Sequence, residues 1–227
     1  MRIGIIGAMQ MEMDNLKEAM TDTSAEVVSG VTFVKGTIGD KEVVAAVCGI
    51  GKVFAAICTE AMILNYQPDM IINIGVAGTL TKDLGVLDVA LAANVCQHDM
   101  DTSPIGDPVG LLSGINRILL PADEQMAAGI AEVLADMGIH YKKGTIASGD
   151  QFIARDEQRA RIVHYFEAIA AEMEGASIGH VCFVNQVPFA ILRSISDGDG
   201  GAMDYQTFAE KAAVQSIEIV LEYLKRI

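Results

Sequence analysis

Short apolar segments rich in β-branched residues alternate along this chain with longer segments in which apolar residues recur every three or four positions. The first pattern is typical of buried strands and the second of amphipathic helices. The predicted strands are RIGIIG (2–7), VVAAVCG (43–49), DMIINIG (69–75), VALAANV (89–95), GTIASGD (144–150) and FAILRSIS (189–196). The predicted helices are KVFAAICTEAMILNY (52–66), EQMAAGIAEVLADMG (124–138), EGASIGHVCFVNQ (174–186) and YQTFAEKAAVQSIEIVLEYLKR (205–226).

Strands that alternate with helices predict an α/β fold in which a mainly parallel sheet is covered by helices. A chain of 227 residues with 51% hydrophobic content can bury one good-sized core but is short for two. No low-complexity linker or tandem repeat divides it, and the stretch 98–119 is the one long irregular candidate. We therefore expect a single domain over residues 1–227.

Composition and charge narrow the class of partner. The formal net charge is −14 and only 16 Lys and Arg residues are spread through the chain, whereas a nucleic-acid surface needs clustered cations. No window is apolar for long enough to span a membrane, and the N-terminal segment is too short for a secretory signal. We expect a small-molecule substrate, and neither a nucleic-acid nor a membrane partner.

The cysteines indicate a reducing compartment. Cys48, Cys58, Cys96 and Cys182 lie far apart in apolar segments and form no C-x-x-C pair. Such residues are typical of reduced thiols in a core. This predicts a cytoplasmic protein without disulfides.

Glycines and polar residues cluster just beyond the predicted strands, in GAMQMEMD, GIGK, GVAG, SGDQF and RSISD. In open α/β sheets, ligands bind outside the carboxyl ends of the strands, where glycine permits sharp turns and close approach. The alternative is that each glycine simply ends a strand. Several such exits together favour a ligand site.

Common nucleotide and metal motifs are missing from the sequence. GIGK lacks the remaining residues of a P-loop, and no G-x-G-x-x-G follows the first strand. His98, Asp99 and Asp101 in QHDMD could be imagined as metal ligands, but no second ligand motif accompanies them. We expect a solvated polar loop there, with no metal and no cofactor.

The segment FAILRSISD places two charged residues in an apolar strand. A buried arginine is costly without a carboxylate partner, so Arg193 calls for one. Asp197, at the end of the strand, is either a turn or helix cap or a carboxyl group whose pKa is raised by apolar surroundings.

Six segments carry a family resemblance: GIIGAMQMEMDNL, GIGKV, INIGVAGTL, ASGDQFI, EMEGASIGHVC and ILRSISD. In order and spacing they resemble the bacterial 5′-methylthioadenosine/S-adenosylhomocysteine nucleosidases, which share their fold with nucleoside phosphorylases. The resemblance runs from end to end. It implies a three-layer α/β/α domain with a mixed, mostly parallel twisted sheet. It also implies a homodimer that needs no cofactor and hydrolyses the N-glycosidic bond of 5′-thio-substituted adenosines.

The same resemblance implies three catalytic residues. Asp197 matches the general acid that protonates purine N7, and Glu12 matches the general base that activates water. Arg193 matches a cation beside that water and Glu12. Spacing alone leaves a plainer role open for Glu12, because a carboxylate in a first helical turn is favoured by the helix dipole.

The resemblance also implies a set of substrate contacts. Glu174 matches the acceptor for the two ribose hydroxyls, and a carboxylate suits that role; Glu172 is instead read as a carboxylate at a helix N-terminus. Phe152 would stack on the purine, although a core position is the alternative for this residue. The remaining substrate-binding positions are the backbone of Ile153, Ser196 beside Asp197, Gly78, the 5′ slot of Met9, Ile50, Met173 and Phe208, and Ile105 from the partner subunit.

Two positions depart from the family pattern. Val76 stands where many relatives carry serine, and Ile105 where they carry phenylalanine, so substrate preference within the family stays open. A phosphorylase of the same fold is the nearest alternative, but Gln10, Glu12 and Asp14 at the first strand exit would repel phosphate. A non-catalytic adenosine-binding module is the other alternative.

Overall fold

The computed structural model describes residues 1–198 and 202–227. Its strands are β1 (Arg2–Gly7), β2 (Thr21–Val28), β3 (Val31–Ile38), β4 (Lys41–Val47), β5 (Met70–Asn73), β6 (Val76–Thr79), β7 (Val89–Gln97), β8 (Leu120–Pro121), β9 (Tyr141–Ser148), β10 (Ala168–Glu172) and β11 (Phe189–Asp197). Its helices are α1 (Asp14–Glu18), α2 (Lys52–Tyr66), α3 (Glu124–Asp136), α4 (Asp156–Phe166), α5 (Gly175–Asn185) and α6 (Ala202–Leu224). Short 3₁₀ turns cover Gln10–Glu12 and Ser103–Ile105.

The described strands form one sheet in the order β2-β3-β4-β1-β5-β11-β6-β10-β9-β7-β8, with a further pairing of β11 to β7. β1 runs parallel to β4 and β5, β11 parallel to β5 and β6, and β9 parallel to β7 and β10. The β2–β3–β4 meander and the β6–β10, β7–β8 and β7–β11 pairs are antiparallel. Because β7 also pairs with β11, one half of the sheet curls into a ring.

Helices cover both faces of this sheet. The apolar core on one face includes buried residues of α2 and α5, such as Cys58 and Ile178. The core on the opposite face includes residues of α1, α3 and α6, such as Leu16, Ile130 and Ile217. The expected three-layer α/β/α arrangement around a mixed, mostly parallel sheet is therefore confirmed.

All six predicted strands and all four predicted helices are present, and α2 has the predicted bounds. One strand exit was interpreted wrongly: GVAG is not a loop after β5 but opens a strand of its own, β6. The sequence analysis also missed β2, β3, β8, β10, α1 and α4. Polar composition explains part of this, since β2 reads TDTSAEVV and is exposed along nearly its whole length.

Two further expectations concern local structure. The stretch 98–119 is irregular as predicted, with only the 3₁₀ turn at Ser103–Ile105 and an isolated bridge between Leu112 and Arg117. The four cysteines are buried free thiols. None of the helices in the described part of the chain combines the length and apolarity needed to cross a membrane.

Candidate active site

A cavity of about 320 Å³ opens where the carboxyl ends of several strands meet. This is within the range of small-molecule pockets. Its lining comes from the exits of β1, β4, β9, β10 and β11, from β6, and from α4 and α6. The lining residues are Ala8, Met9, Glu12, Ile50, Val76, Ala77, Gly78, Thr79, Leu80, Gln151, Phe152, Ile153, Arg159, Ala171, Glu172, Met173, Glu174, Ser196, Asp197 and Tyr205.

Glu12 is held in this cavity by backbone amides. β1 ends at Gly7, and the following turn brings the carboxylate back so that Ala8 and Met9 N–H donate to Oε2 at 2.7 and 2.9 Å. Val76 N–H donates to Oε1 at 3.3 Å. Burial raises the pKa of Glu12, although the Arg193 charge and the three amides act in the opposite direction. The carboxyl group is thus fixed in place and removed from water.

Asp197 lies at the end of β11 and is also buried. Ser196 Oγ donates to its Oδ1 at 2.8 Å. Burial raises the pKa of Asp197, helped by the Asp204 charge, while Ser196 and Arg159 act to lower it. A Cβ on Gly78 would lie 2.7 Å from Asp197 Oδ2, so any larger residue at position 78 would force the carboxyl group to shift. Glu12 and Asp197 therefore line one cavity.

Arg193 is fully buried and has the carboxylate partner that its position demands. That partner is Glu172, at 2.6 Å from guanidinium Nη2 to Oε2, and not Glu12. The guanidinium also donates to the Asn73 side chain and to the carbonyls of Asn73 and Leu192. The structure thus places Arg193 behind the cavity wall, where it acts on Glu12 through its charge.

Glu172 does more than accept hydrogen bonds at a helix N-terminus, the role that the sequence predicted for it. As expected of a helix N-terminal carboxylate, it accepts hydrogen bonds from the Glu174 and Gly175 amides at the start of α5, at 3.0 and 2.7 Å. It also accepts from Ser148 Oγ and pairs with Arg193. A buried ion pair is stable only with such added hydrogen bonds, and here Glu172 receives them.

Glu174 is the N-cap residue of α5, two positions beyond the last residue of β10, and it lines the same cavity. Gly51 N–H donates to its Oε1 at 2.9 Å. Burial raises the pKa of Glu174, and the neighbouring Glu172 charge raises it further, against the opposing effects of the Gly51 amide and Arg193. The protein holds one carboxylate oxygen, and within the described part of the chain the other accepts no hydrogen bond.

Apolar residues complete the walls. The predicted positions Met9, Ile50, Phe152, Ile153 and Met173 all line the cavity. Ile50 and Phe152 are 54% and 45% exposed, which puts them at the mouth. Because Phe152 is exposed at the mouth of the cavity, it suits a role in ligand binding better than a role in the core.

The structure places two predicted residues elsewhere. Phe208 is half-buried and Ile105 is 82% exposed, and neither lines the cavity of this chain. The aromatic residue of α6 at the cavity is Tyr205, which the sequence analysis missed. Its ring lies 5.7 Å from that of Phe152, edge to face, and its hydroxyl donates to Met9 Sδ at 3.3 Å. Tyr205 and Phe208 are three residues apart on one helix face, so the helical period was the available signal.

The carboxylates of QHDMD, which were weighed as metal ligands, are engaged in other contacts. Asp99 pairs with Lys52 at 2.6 Å and Asp101 with Arg161 at 2.8 Å, so both carboxylates face cations. His98 is buried beside them. Over residues 1–198 and 202–227, no group of three or more His, Cys, Asp or Glu side chains is placed to hold a metal ion.

Comparison with known proteins gives the class first. The family model of the phosphorylase superfamily matches residues 2–225, nearly the whole chain. The structure of a native futalosine hydrolase of Helicobacter pylori superposes with a TM-score of 0.95 and 36% identity, covering 100% of this chain and 98% of that one. The chain belongs to this superfamily and has its fold.

More specific relatives define the family. The 5′-methylthioadenosine/S-adenosylhomocysteine nucleosidase of Staphylococcus saprophyticus is 41% identical over 99% of this chain and 100% of its own length. A Helicobacter pylori nucleosidase mutant, solved with 5′-methylthioadenosine in its active site, has a TM-score of 0.96 and 34% identity, covering 100% of this chain and 99% of that one. The chain belongs to the 5′-methylthioadenosine/S-adenosylhomocysteine nucleosidases.

Proposed function

We propose that the protein uses water to cleave the N-glycosidic bond of 5′-methylthioadenosine and S-adenosylhomocysteine, releasing adenine and the 5-thio-substituted ribose. The observation that carries this proposal is the placement of two buried carboxyl groups, Glu12 and Asp197, in one cavity with Glu174. Acids and bases with perturbed pKa values in a cleft are typical of active sites.

Asp197 is proposed as the general acid. Departure of adenine leaves negative charge on the purine, and a proton delivered to N7 neutralises it. A donor must be protonated near neutral pH, which an elevated pKa permits, and burial raises the pKa of Asp197. Ser196 holds one carboxyl oxygen at 2.8 Å, which leaves the other to face the cavity.

Glu12 is proposed as the general base. The ribose develops oxocarbenium character at the anomeric carbon, and water must attack there as a proton is removed from it, as in inverting glycoside hydrolysis. Amides from the turn after β1 and from the first residue of β6 fix the Glu12 carboxylate. The Arg193 charge behind the wall favours its ionised form, which a base requires.

The other walls would bind the substrate. Glu174 has one carboxylate oxygen on the Gly51 amide, and its exposure to the cavity suits it to accept from ribose hydroxyls. Phe152 would stack on the purine, beside the backbone of Ile153. Met9, Ile50 and Met173 would surround the 5′ thioether, for which polarizable methionine is well suited.

Water is favoured over phosphate as the attacking group. The charged residues that line the described cavity are the carboxylates Glu12, Glu172, Glu174 and Asp197 and one cation, Arg159. Arg159 donates to the carbonyls of Gly198 and Thr79, on the Asp197 side. A phosphate anion at Glu12 would thus meet negative charge without a facing cation.

Phosphate independence is the direct test. We expect purified protein incubated with 5′-methylthioadenosine to release adenine and free methylthioribose at the same rate in phosphate-free buffer and in buffer with phosphate. Product analysis by chromatography distinguishes the outcomes. A sugar 1-phosphate product that requires added phosphate would establish a phosphorylase, and a bound but unchanged nucleoside would establish a binding module.

A homodimer is proposed as the working unit. Val53, Phe54 and Ile57 are exposed apolar residues in the first two turns of α2, close to Ile50 at the cavity mouth. Such a patch is typical of a protein interface. A second copy packed there would cover the patch and could bring the exposed Ile105 to the open cavity. Sedimentation of the wild type and of Phe54→Asp compares their oligomeric states.

The cytoplasmic location stays a prediction.

A further inference from the structure

Three strand exits meet next to the cavity in a network of charged groups that does not line it. Asp99 follows β7, Lys52 begins α2 and Asp150 follows β9. Lys52 Nζ lies 2.6 Å from Asp99 Oδ1, and Asp150 N–H donates to Asp99 Oδ2 at 2.9 Å. Lys52 N–H in turn donates to Asp150 Oδ1 at 2.7 Å. We call these three residues the loop clamp, because they close a ring of hydrogen bonds across three loops.

The clamp is shielded from solvent more than an ordinary surface ion pair. The Lys52 and Asp99 side chains are 18% and 19% exposed. Burial alone would raise the pKa of Asp99, but the hydrogen bond from Lys52 and the Asp150 amide outweigh it and lower the pKa. Exposed ion pairs contribute little to stability, whereas a partly buried pair with a further backbone hydrogen bond fixes geometry more firmly.

Two of the three loops joined by the clamp carry cavity walls. The loop before α2 contains Ile50 and Gly51, and the Gly51 amide holds Glu174 at 2.9 Å. The loop after β9 contains Phe152 and Ile153. Contact between the loops is close, since a Cβ on Gly51 would lie 3.0 Å from Asp150 Oδ1. The distance between the two walls, and the direction of the Gly51 amide, therefore depend on these charged groups.

We propose that Lys52, Asp99 and Asp150 are positioning residues that set the spacing of the cavity mouth and orient the ribose-binding carboxylate. This inference rests on the proposed function for the identity of the ligand. It assigns no proton transfer to the clamp. Its loss should weaken nucleoside binding and leave the Asp197 and Glu12 chemistry intact once the substrate is bound.

The test compares Asp99→Asn and Lys52→Met with wild type in the full-length protein. Asp99→Asn keeps the side-chain volume but replaces one carboxylate oxygen with an NH₂ group. This new donor would face an existing donor, either the Lys52 ammonium or the Asp150 backbone N–H. We expect the KM for 5′-methylthioadenosine to rise by about 10-fold and kcat to change by less than about twofold. The double variant should resemble either single variant, because both remove the same interaction. Lys52→Arg should restore most of the affinity.

The matched control is Arg226→Met, which removes an ion pair of similar length, 2.7 Å to Asp136, away from the cavity. It should leave KM and kcat unchanged. A clamp variant that loses thermal stability but keeps wild-type KM would show a merely structural role, and one that loses kcat at constant KM would show a catalytic role. Either result overturns the proposal.

A binding measurement separates this inference from the proposed function. Calorimetric titration with 5′-methylthioadenosine, made with the clamp substitutions in an Asp197→Asn background so that the nucleoside is not consumed, measures binding apart from turnover. If wild type released no adenine but the clamp variants still bound 5′-methylthioadenosine about 10-fold more weakly, the proposed function would fail and the positioning role would stand. If wild type turned over and the variants bound normally, only the positioning role would fail.

Discussion

Asp197→Asn is expected to lower the kcat for adenine release by about 10²- to 10⁴-fold, the usual range for loss of a general acid. Asparagine has nearly the same shape and keeps an acceptor for the Ser196 hydroxyl, which lies 2.8 Å from Oδ1 in the wild type. It has no acidic proton to give to purine N7. We therefore expect substrate to bind with little change in Kd. Single-turnover kinetics and calorimetry measure the two quantities separately, and undiminished kcat would remove Asp197 as the acid.

The matched control is Ser196→Ala. The Ser196 hydroxyl lowers the pKa of Asp197 against the effect of burial. Its removal should raise that pKa, and since the acid works in its protonated form, activity should persist to higher pH. In Ser196→Ala, the alkaline limb of the rate profile should move to higher pH. The residual activity of Asp197→Asn should lack that limb. A shift in the opposite direction would contradict the assigned protonation state.

The same carboxyl group affects stability. Because the pKa of Asp197 is raised in the folded chain, the folded state binds its proton more tightly than the unfolded state. The stability that this group contributes is present below its unfolded pKa and is lost as pH rises through the folded pKa. Asparagine has no such dependence. The Tm of Asp197→Asn relative to wild type should therefore increase as pH rises from the unfolded pKa, about 4, through the elevated folded pKa.

Glu12→Gln is the second substitution with a large expected effect, again a loss of about 10²- to 10⁴-fold in kcat. Glutamine cannot take a proton from water, and its amide would place a donor against the backbone N–H groups of Ala8 and Met9 or of Val76. The wild-type base must be ionised, and burial raises the pKa of Glu12. Activity should thus fall as pH drops through an elevated pKa, and the variant should lose this acidic limb.

Glu174→Gln is the control for Glu12→Gln, since it alters a carboxylate in the same cavity with a different assigned role. We expect its main effect on KM, because the carboxylate is proposed to bind ribose hydroxyls in substrate and transition state alike. A deoxyribose analogue should be discriminated less by this variant than by wild type. If Glu12→Gln changed only KM while Glu174→Gln abolished kcat, the two assignments would have to be exchanged.

Much of the fold could be predicted because its buried elements obey simple periods. β1 and the first half of β11 are nearly continuous apolar runs, and α2 combines apolar spacing with a glycine at its N-cap, Gly51. The missed elements lack those signals. β2 is stabilised by pairing with β3 in an exposed hairpin, and α4 is polar with only Ile162 and Phe166 buried. Tertiary contacts determine such segments more than their own pattern does.

The site was predictable to a similar depth. Strand exits indicated where Glu12 and Asp197 lie, because parallel strands end at a common edge. Glu174 follows β10, which the sequence pattern did not reveal, so only the family resemblance pointed to it. The cost of burying an unpaired charge predicted a carboxylate beside Arg193. Which carboxylate it is depends on the order of the strands in the sheet. β10 lies two strands away from β11 in sheet order, across β6, and only this order brings Glu172 to the guanidinium. No spacing along the chain contains that information.

The β11–β6 register has one further consequence. Ile195 pairs with Ala77 and Asp197 with Gly78, so Ser196 is an extra residue in the ladder. In a regular strand, neighbouring side chains alternate between faces, but here Ser196 and Asp197 both reach the cavity. Without this bulge, Ser196 and Asp197 would face opposite sides of the sheet, and the hydroxyl that holds the proposed acid would not share its cavity. The role proposed for Asp197 thus depends on this β-bulge as well as on the identity of the residue. Insertions and deletions near position 196 would therefore test the site more directly than substitutions.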